Sequence, residues 1–333
     1  MNIHLTRVAT MSPFCAFLAA GGVSVQRHLE EVGIAPELVA SEESPLPLRQ
    51  GCRFVESLAR KHGISDIGLV VGVKSSVTNM GLFGKSLSQS LTLKDLLEKL
   101  IRLVPLVNTG AHLWVEDLPG GEEMRLCVSI DTDCIRTQIE AYSLLLSLDA
   151  VRQALGPDWR PRTVWINPNE VSSFANCEPF SDAKVHAVPN YAAFAFPKEL
   201  LATALHRAKS PWLDESGAES EFRRQAPPTD LIGSLTATIR AAMGSHTLSI
   251  EHSAEMLGSS ARTLQRNLEG QGVTYRDILD RVRFDRARQL MRDPGNRLAD
   301  IAHELGYTDA SNFTHAFRHW TGMSPSRYRR QFV

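Results

Sequence analysis

The strongest constraint on this chain is a small unit written twice near its C-terminal end. Ala254-Glu-Met-Leu-Gly258 leads through two serines into Ala-Arg-Thr-Leu-Gln-Arg-Asn-Leu268, and Ala302-His-Glu-Leu-Gly306 leads through Tyr-Thr-Asp into Ala-Ser-Asn-Phe-Thr-His-Ala-Phe317. The paired alanines and the paired glycines are both 48 positions apart. A helix stopped by glycine, a tight polar turn and a fresh amphipathic helix make a helix-turn-helix. Two such units close together predict duplex DNA as the partner.

The second helix of each unit carries an apolar stripe with four-residue spacing. Leu264 and Leu268 form it in the first unit, Phe313 and Phe317 in the second, and both pairs are expected to bury. That leaves Arg262, Gln265 and Arg266 facing out in the first unit, and Ala310, Ser311, Asn312, Thr314 and His315 in the second. Arginine grips guanine and glutamine reads adenine through paired hydrogen bonds, and either also reaches phosphate. These eight residues are the DNA-binding candidates. Ser249 and Ser260 read as N-caps in the first unit. Thr308 reads as the cap of the second reading helix, with Asp309 near its positive end. Thr274 to Met291 reads as a long connecting helix. Its Arg281, Arg283, Arg286 and Arg288 are expected to pair in part with Asp277, Asp280 and Asp285 of the same helix. Tyr328 is expected to bury, leaving Arg327, Arg329 and Arg330 for phosphate or solvent.

Charge supports a local footprint rather than a polycation. The whole chain has a net charge of −1, but from His246 onward there are thirteen Arg, no Lys and ten acids, a balance of +3 against −4 for the rest. A DNA footprint needs such local clustering, not a large total. The apolar and charged fractions, 43% and 22%, suit a soluble globular chain. The cysteines (15, 52, 127, 134 and 177) are scattered with no C-x-x-C, which argues against a zinc knuckle or a thioredoxin-like site. They read as buried free thiols of a reducing compartment, although Cys127 and Cys134 could approach one another. No metal and no cofactor are expected. Met11 to Ala20 is apolar but short and contains Pro13, and nothing reaches membrane-spanning length. The expected location is the cytoplasm, with no membrane partner.

The first two thirds read as a mixed α/β domain. Helical lead-ins end at Gly33 and Gly63, and Ile67 to Val73 reads as a short strand or buried turn. Gly81 to Gly84 reads as a loop or helix entry, and Leu91 to Val107 as a helix. Ala111 to Glu116 and Met124 to Ile130 alternate around Pro119-Gly-Gly121, a hairpin signal. A long helix from about Cys134 to Leu155 follows, then strands near Arg162–Ile166, Ala183–Val188 and Tyr191–Phe196. His112, Glu116, Asp117, Asp131, Asp133, His186 and His206 are the polar candidates, and they form no known catalytic motif. His112 reads as a structural histidine. Phe83, Trp114, Trp165, Phe174, Phe180, Tyr191 and Phe194 read as core, or as pocket lining. The proposed division is 1–207 for ligand sensing and/or dimerisation, 208–229 for a Pro-containing linker, and 230–333 for DNA binding.

The tail resembles the AraC/XylS family of bacterial transcription regulators. The resemblance lies in LGSSARTLQRNL, GVTYRDILDRVRFDRARQLM and IAHELGYTDASNFTHAFRHWTGMSPSRYR, within about residues 230–332. It implies seven helices, forming two helix-turn-helix units joined by the long helix, and reading helices that carry the eight candidates above. Ala261 stands where proline is common and Arg297 where a Ser or Thr cap is usual. His315 stands where Arg is frequent. The N-terminal part resembles an arabinose-binding-type regulatory domain. The carriers are GLFGKSLSQSLTLKDLLEKLIRLVPL, PRTVWINPNEV and Pro189-Asn-Tyr-Ala-Ala-Phe-Ala-Phe-Pro197. The domain label does not establish arabinose as ligand.

The expected fold is therefore an α/β N-terminal regulatory domain plus an all-α C-terminal domain with two helix-turn-helix units joined by a long helix. The expected function is a sequence-specific, effector-responsive regulator that reads as an activator and is not an enzyme. Its implied partners are double-stranded promoter DNA, a small-molecule effector and RNA polymerase, with a homodimer as one assembly the resemblance allows. Two other readings stay open. One is a constitutive or architectural factor with a dimerisation-only first domain. The other is an enzyme with a DNA-binding tail, which needs the histidines of the first domain to converge.

Overall fold

The computed structural model describes residues 3–132, 134–205, 217–243 and 248–332. Asp133, His206 and the stretch 206–216, which holds much of the expected linker, lie outside the described residues. The chain opens with β1 (Leu5–Arg7), α1 (Ser12–Ala20), α2 (Val25–Glu31) and β2 (Pro45–Pro47), and β2 pairs antiparallel with β1. Four helices follow: α3 (Leu48–His62), α4 (Ile67–Gly72), α5 (Gly81–Leu87) and α6 (Leu93–Val107). Next come β3 (Ala111–Asp117), β4 (Glu123–Ile130), α7 (Arg136–Leu155), β5 (Thr163–Ile166), α8 (Val171–Ala175), β6 (Lys184–Ala187) and β7 (Ala192–Pro197). The hairpin, the long helix and the three later strands agree with the alternation and turn signals of the sequence.

The segment from Ile67, expected as a strand or turn, is helix α4, and its glycines explain the error. A Cβ on Gly68 would stand 2.0 Å from the Gln138 carbonyl oxygen of α7, and one on Gly72 would stand 2.7 Å from Leu145 Cδ1. The two glycines, one turn apart, strip one side of α4 so that it can lie against α7. Their role is close approach, not chain breaking. Gly81 to Gly84 likewise opens a helix, α5.

The five main strands are ordered β3-β4-β7-β5-β6, and every neighbouring pair is antiparallel except β5–β6. Leu113, Leu126, Val128, Val164, Phe194 and Phe196 bury one face of this sheet, beneath α6 and α7. The other face carries a polar–aromatic ladder. Trp114 meets Tyr191 edge-on at 5.9 Å, Arg125 lies over Trp165 and Tyr191 at 5.2 and 5.4 Å, and Trp165 stacks on His186 at 5.4 Å. The aromatic set therefore divides, with Phe174 and Phe180 in the core, 5.1 Å apart.

Helix α9 (Ala218–Arg224) packs onto α5 and is held by the fully buried Arg7. The Arg7 Nη2 donates to the Phe222 and Gln225 carbonyls at 2.8 and 3.1 Å, its Nε donates to Leu106 at 2.8 Å, and Nη1 pairs with Glu43. Burial lowers the Arg7 pKa and the Glu43 charge opposes this. The guanidinium also lies 3.9 Å over the Phe222 ring.

The C-terminal part consists of α10 (Leu231–Ala241), α11 (Ile250–Met256), α12 (Ala261–Glu269), α13 (Tyr275–Met291), α14 (Leu298–Glu304), α15 (Ala310–Thr321) and α16 (Pro325–Phe332). Its apolar stripes converge on a second core. Leu235, Ile239, Leu264, Leu268, Phe313 and Phe317 lie in it, each at most 1% exposed. Helix α10 packs beside β2, and the Ala35 N–H donates to the Ala241 carbonyl at 3.0 Å, so the two parts touch.

Candidate nucleic-acid interface

The repeated sequence unit is a repeated hydrogen-bond pattern. Gly258 and Gly306 have φ of 67° and 79°, the left-handed region that ends a helix without penalty only at glycine. The Ser259 N–H reaches back to the Ala254 carbonyl at 2.8 Å, and Gly258 to Glu255 at 3.0 Å. In the second unit Tyr307 reaches Ala302 at 3.0 Å, and Gly306 reaches His303 at 2.9 Å. Both alanines are 1% exposed, because each sits beneath its turn.

Caps set where each reading helix begins. The Ser249 and Ser260 side chains accept from the N–H groups of His252 and Thr263. In the second unit the cap is Asp309, not Thr308. Its carboxylate Oδ1 accepts from the Ser311 and Asn312 N–H groups at 2.7 and 2.9 Å. An extended backbone at Asp309 places the carboxylate there, and its charge suits the helix start. Arg297 begins α14 with no side-chain cap bond.

Arg262, Gln265 and Arg266 lie exposed on α12, while Leu264 and Leu268 face the core. Ala310, Ser311, Asn312 and His315 are exposed on α15, and Thr314 is half-buried. Three of these groups have partners within their own helix or cap. Gln265 Nε2 donates to Glu269 at 3.1 Å, Asn312 Nδ2 to Asp309 Oδ2 at 2.8 Å, and the Thr314 hydroxyl to the Ala310 carbonyl at 2.8 Å.

Helix α13 fixes the second unit to the first. A capping box of Thr274 and Asp277 starts it, and these hydrogen bonds hold the Asp277 carboxyl below its usual range. Two of its arginines make different contacts from those expected within the helix. Arg286 Nε donates to Glu304 of α14 at 2.9 Å, and Arg283 Nε donates to the Leu305 carbonyl at 3.0 Å while lying 4.4 Å over the Tyr307 ring. Tyr328 is half-buried and edge-on to Phe317 at 5.2 Å. Arg329 is not left to solvent, since its Nη1 donates to the Asn296 carbonyl at 2.9 Å.

The N-terminal part holds a partly open cavity of about 100 Å³ between its helices and the buried face of the sheet. Of the aromatic set, only Phe83 lines it. Helix α3 matters most to the geometry. Leu48, Gly51, Cys52 and Val55 are spaced to share one side of this helix, and all four line the cavity. The adjoining side carries Arg49 and Arg53 to the first helix-turn-helix. Arg53 pairs with Glu255 at 3.1 Å, and Arg49 Nη1 lies only 2.8 Å from where a Cβ on Gly258 would be. Sequence reasoning missed both arginines, since nothing local to α3 marks them.

The other polar candidates are dispersed. His112, read as a structural histidine, is exposed on β3 and lines the cavity, and His186 is on β6 at the opposite edge of the sheet. Four strand spacings separate those edges, roughly 19 Å, so these two histidines do not converge. Glu116 pairs with Arg125 at 2.6 Å, Asp117 with Lys198 at 2.8 Å and Asp131 with His4 at 3.5 Å. Cys127 faces Glu116, and burial together with that charge pushes its thiol up to about 12. Cys134 instead shares the Thr132 hydroxyl with Cys52, each sulfur 3.7 Å from it. Burial also raises the Cys15 and Cys177 thiols, to about 11. Among the described residues no helix is long and apolar enough to cross a membrane.

Two helix-turn-helix units with glycine turns and capped second helices, joined by one long helix and attached to an α/β domain, define a two-domain transcriptional regulator. Residues 22–205 match the family model for the arabinose-binding domain of AraC transcription regulators, and residues 253–331 match that for a helix-turn-helix domain. The chain belongs to the AraC family of transcription regulators. It is similar to the ornithine utilization regulator of Pseudomonas aeruginosa, with 26% identity over 98% of this chain and 96% of that protein. VirS of Mycobacterium tuberculosis is 23% identical over 98% of this chain and 96% of its own length. The regulator VqsM of P. aeruginosa reaches 40% identity, but over only 25% of this chain and 26% of VqsM.

Proposed function

We propose that this chain is an effector-responsive activator in which α3 transmits the ligand state of the regulatory domain to the first DNA-reading unit. One observation carries the reading. The same helix lines the cavity with Leu48, Gly51, Cys52 and Val55 and grips the first unit through Arg49 and Arg53. A ligand that fits the cavity better in one arrangement of α3 shifts the population of the DNA-competent state. On this reading the chain divides into a sensing part (1–207), a connector (208–229) and a reader (230–333). The two cores favour separate sensing and reading parts, but Phe222 of α9 lies in the first core, so the described end of the connector packs with the sensing part.

Arg262, Gln265 and Arg266 read one major groove, and Ala310, Ser311, Asn312, Thr314 and His315 read the next, about 34 Å along the duplex. RNA polymerase and a second copy of the chain are further partners on this reading, and the cytoplasm is its site of action. The description of the matched N-terminal domain family and the name of one relative bring in a pentose and a diamino acid as effector classes. Gel-shift titration of the operator tests the reading face. Gln265→Ala and Arg266→Ala should each weaken specific binding about 5- to 150-fold, the range for one lost base contact, with unchanged melting. Normal binding by both variants would remove α12 from the interface. For the transmission step, Arg53→Ala should leave cavity binding intact and reduce the effector's influence on operator affinity. An undiminished influence would rule out α3 as the carrier.

A further inference from the structure

This step rests on the effector-responsive reading and concerns what the cavity accepts. Among the described residues its wall contains no Lys, Arg, Asp or Glu. Side chains such as Phe14, Val55, Leu100, Val128 and Leu146 make up most of it. Several of its polar groups are committed to the protein. The Thr6 and Thr10 hydroxyls meet at 3.0 Å, and Thr10 also donates to the Arg7 carbonyl at 2.8 Å. Ser147 Oγ donates to the Ser143 carbonyl at 2.9 Å. Asn108 accepts the Gly110 N–H on its Oδ1 at 2.9 Å, so what it offers a ligand is the donor end of its amide.

Beyond the Asn108 amide the wall offers the buried Tyr142 hydroxyl, which has no hydrogen-bond partner, and the exposed His112 at its edge, so a sugar or an amino acid entering this cavity gives up more hydration than the wall replaces. An ionised carboxylate or ammonium with no partner is strongly disfavoured in such surroundings, and each unpaired sugar hydroxyl adds its own penalty. Dry apolar cavities of comparable size do take up single-ring compounds. We infer that the effector is a small uncharged molecule with a largely apolar body and one neutral oxygen acceptor for the Asn108 amide. A ketone or ester on a short aliphatic chain or a single ring has this chemistry. Such a molecule is neither the pentose of the domain family's description nor the diamino acid of one relative's name.

Calorimetry and thermal melting of the full-length protein with cyclopentanone as probe test this. L-ornithine, L-arabinose, cyclopentanecarboxylate and cyclopentylammonium serve as contrasts. Cyclopentanone should bind saturably and raise the melting temperature. The two charged ring compounds should bind at least about ten-fold more weakly at neutral pH, and ornithine and arabinose should give no saturable heat. Gly51→Val should abolish cyclopentanone binding without unfolding the protein. A Cβ there sits 3.6 Å from Met11 Sδ and Thr6 Cγ2, an ordinary contact, and the added methyls take up the space. Ser147→Val should do the same from α7, which guards against a local defect in α3.

Saturable binding of ornithine, arabinose or a charged ring that Gly51→Val abolishes overturns the inference. So does a lack of cyclopentanone binding, which would make the cavity a packing void. Operator binding measured in parallel separates the two claims. Normal operator binding with no probe uptake defeats the ligand class alone. Uptake by the wild type and not by Gly51→Val supports the ligand class, even if operator affinity never responds to any ligand and the effector-responsive reading fails.

Discussion

Replacing Gly68 with alanine isolates the feature on which the regulatory domain's packing depends. The new Cβ would stand 2.0 Å from the Gln138 carbonyl oxygen, 2.8 Å from its carbon and 3.1 Å from its Cα. These are backbone atoms of a buried helix and cannot rotate away. Relief requires α4 to retreat from α7 by about 1.4 Å, the distance needed to reach ordinary contact at 3.4 Å. A gap of even 0.5–1 Å forfeits about a quarter to a half of each dispersion contact. The same retreat breaks the 3.0 Å bond from the Gly68 N–H to Gln138 Oε1, and a buried N–H left unpaired costs about 1–3 kcal/mol. Overpacking adds about 1–3 kcal/mol, while alanine returns about 0.5–1 kcal/mol of helix preference. The net expectation is a loss of about 2–4 kcal/mol. Urea unfolding followed by tryptophan fluorescence measures it, since Trp114, Trp159 and Trp165 all lie in this domain. Gly270→Ala is the control, because its Cβ meets carbonyl oxygens only at 3.5 and 3.6 Å and should shift stability by less than about 0.5 kcal/mol. A Gly68→Ala loss below about 1 kcal/mol would refute the close-approach account of α4.

Phe313→Ala removes a fully buried ring that touches Phe317 at 5.6 Å and Tyr307 at 5.8 Å. It should cost the DNA-binding domain about 3–5 kcal/mol, seen as a lowered melting transition, and an unchanged melt would contradict its burial. Arg7→Ala should release α9, exposing 217–226 to limited proteolysis while the helix-turn-helix units remain folded, and unchanged protection would remove Arg7 as the anchor. Burial raises the Glu140 carboxyl and Arg136 opposes it, so the folded state holds this proton more tightly than the unfolded one. The contribution is fully present below the unfolded value of about 4.3 and is lost as pH rises through the folded value. Glu140→Gln should therefore flatten the decline in stability as pH rises from the unfolded value through the folded one, and an identical stability–pH curve would refute the assignment.

The DNA-reading half was legible because its signals are local. Gly258 and Gly306 end helices wherever they fold, and the Leu264/Leu268 and Phe313/Phe317 stripes need only a helix to point inward. Legibility failed where the deciding partner is distant in sequence. Gly68 reads as a breaker until Gln138 is known to lie against it. Arg283 and Arg286 read as intrahelical partners until α14 supplies the Leu305 carbonyl and Glu304. Thr308 and Asp309 are adjacent and both can cap, and only the backbone angles select Asp309. Arg49 and Arg53 look like ordinary surface residues of an amphipathic helix. Their neighbours Glu255 and Gly258 lie more than 200 positions away.

The two glycine turns also suggest how the halves of the reader could respond differently. Each turn lies beneath an arginine, but the arginines come from different places. Gly258 faces Arg49 of the regulatory domain, and the nearest atom to a Cβ on it would be Arg49 Nη1 at 2.8 Å. A Cβ on Gly306 would meet Leu248 at 3.3 Å and Arg283 Nη2 at 3.6 Å, both within the DNA-binding domain. The first unit is thus in direct contact with the sensing domain, while the second is held by α13 through Arg283, Arg286 and Glu304. If α3 moves with ligand, the first unit feels it through Arg49 and Arg53, and the second can follow only as far as α13 stays rigid. Effector should then change protection at the half-site read by α12 more than at the half-site read by α15. Footprinting with and without effector measures this, and equal changes at both half-sites would mean that the domain moves as one body and that α3 does not act on the first unit alone.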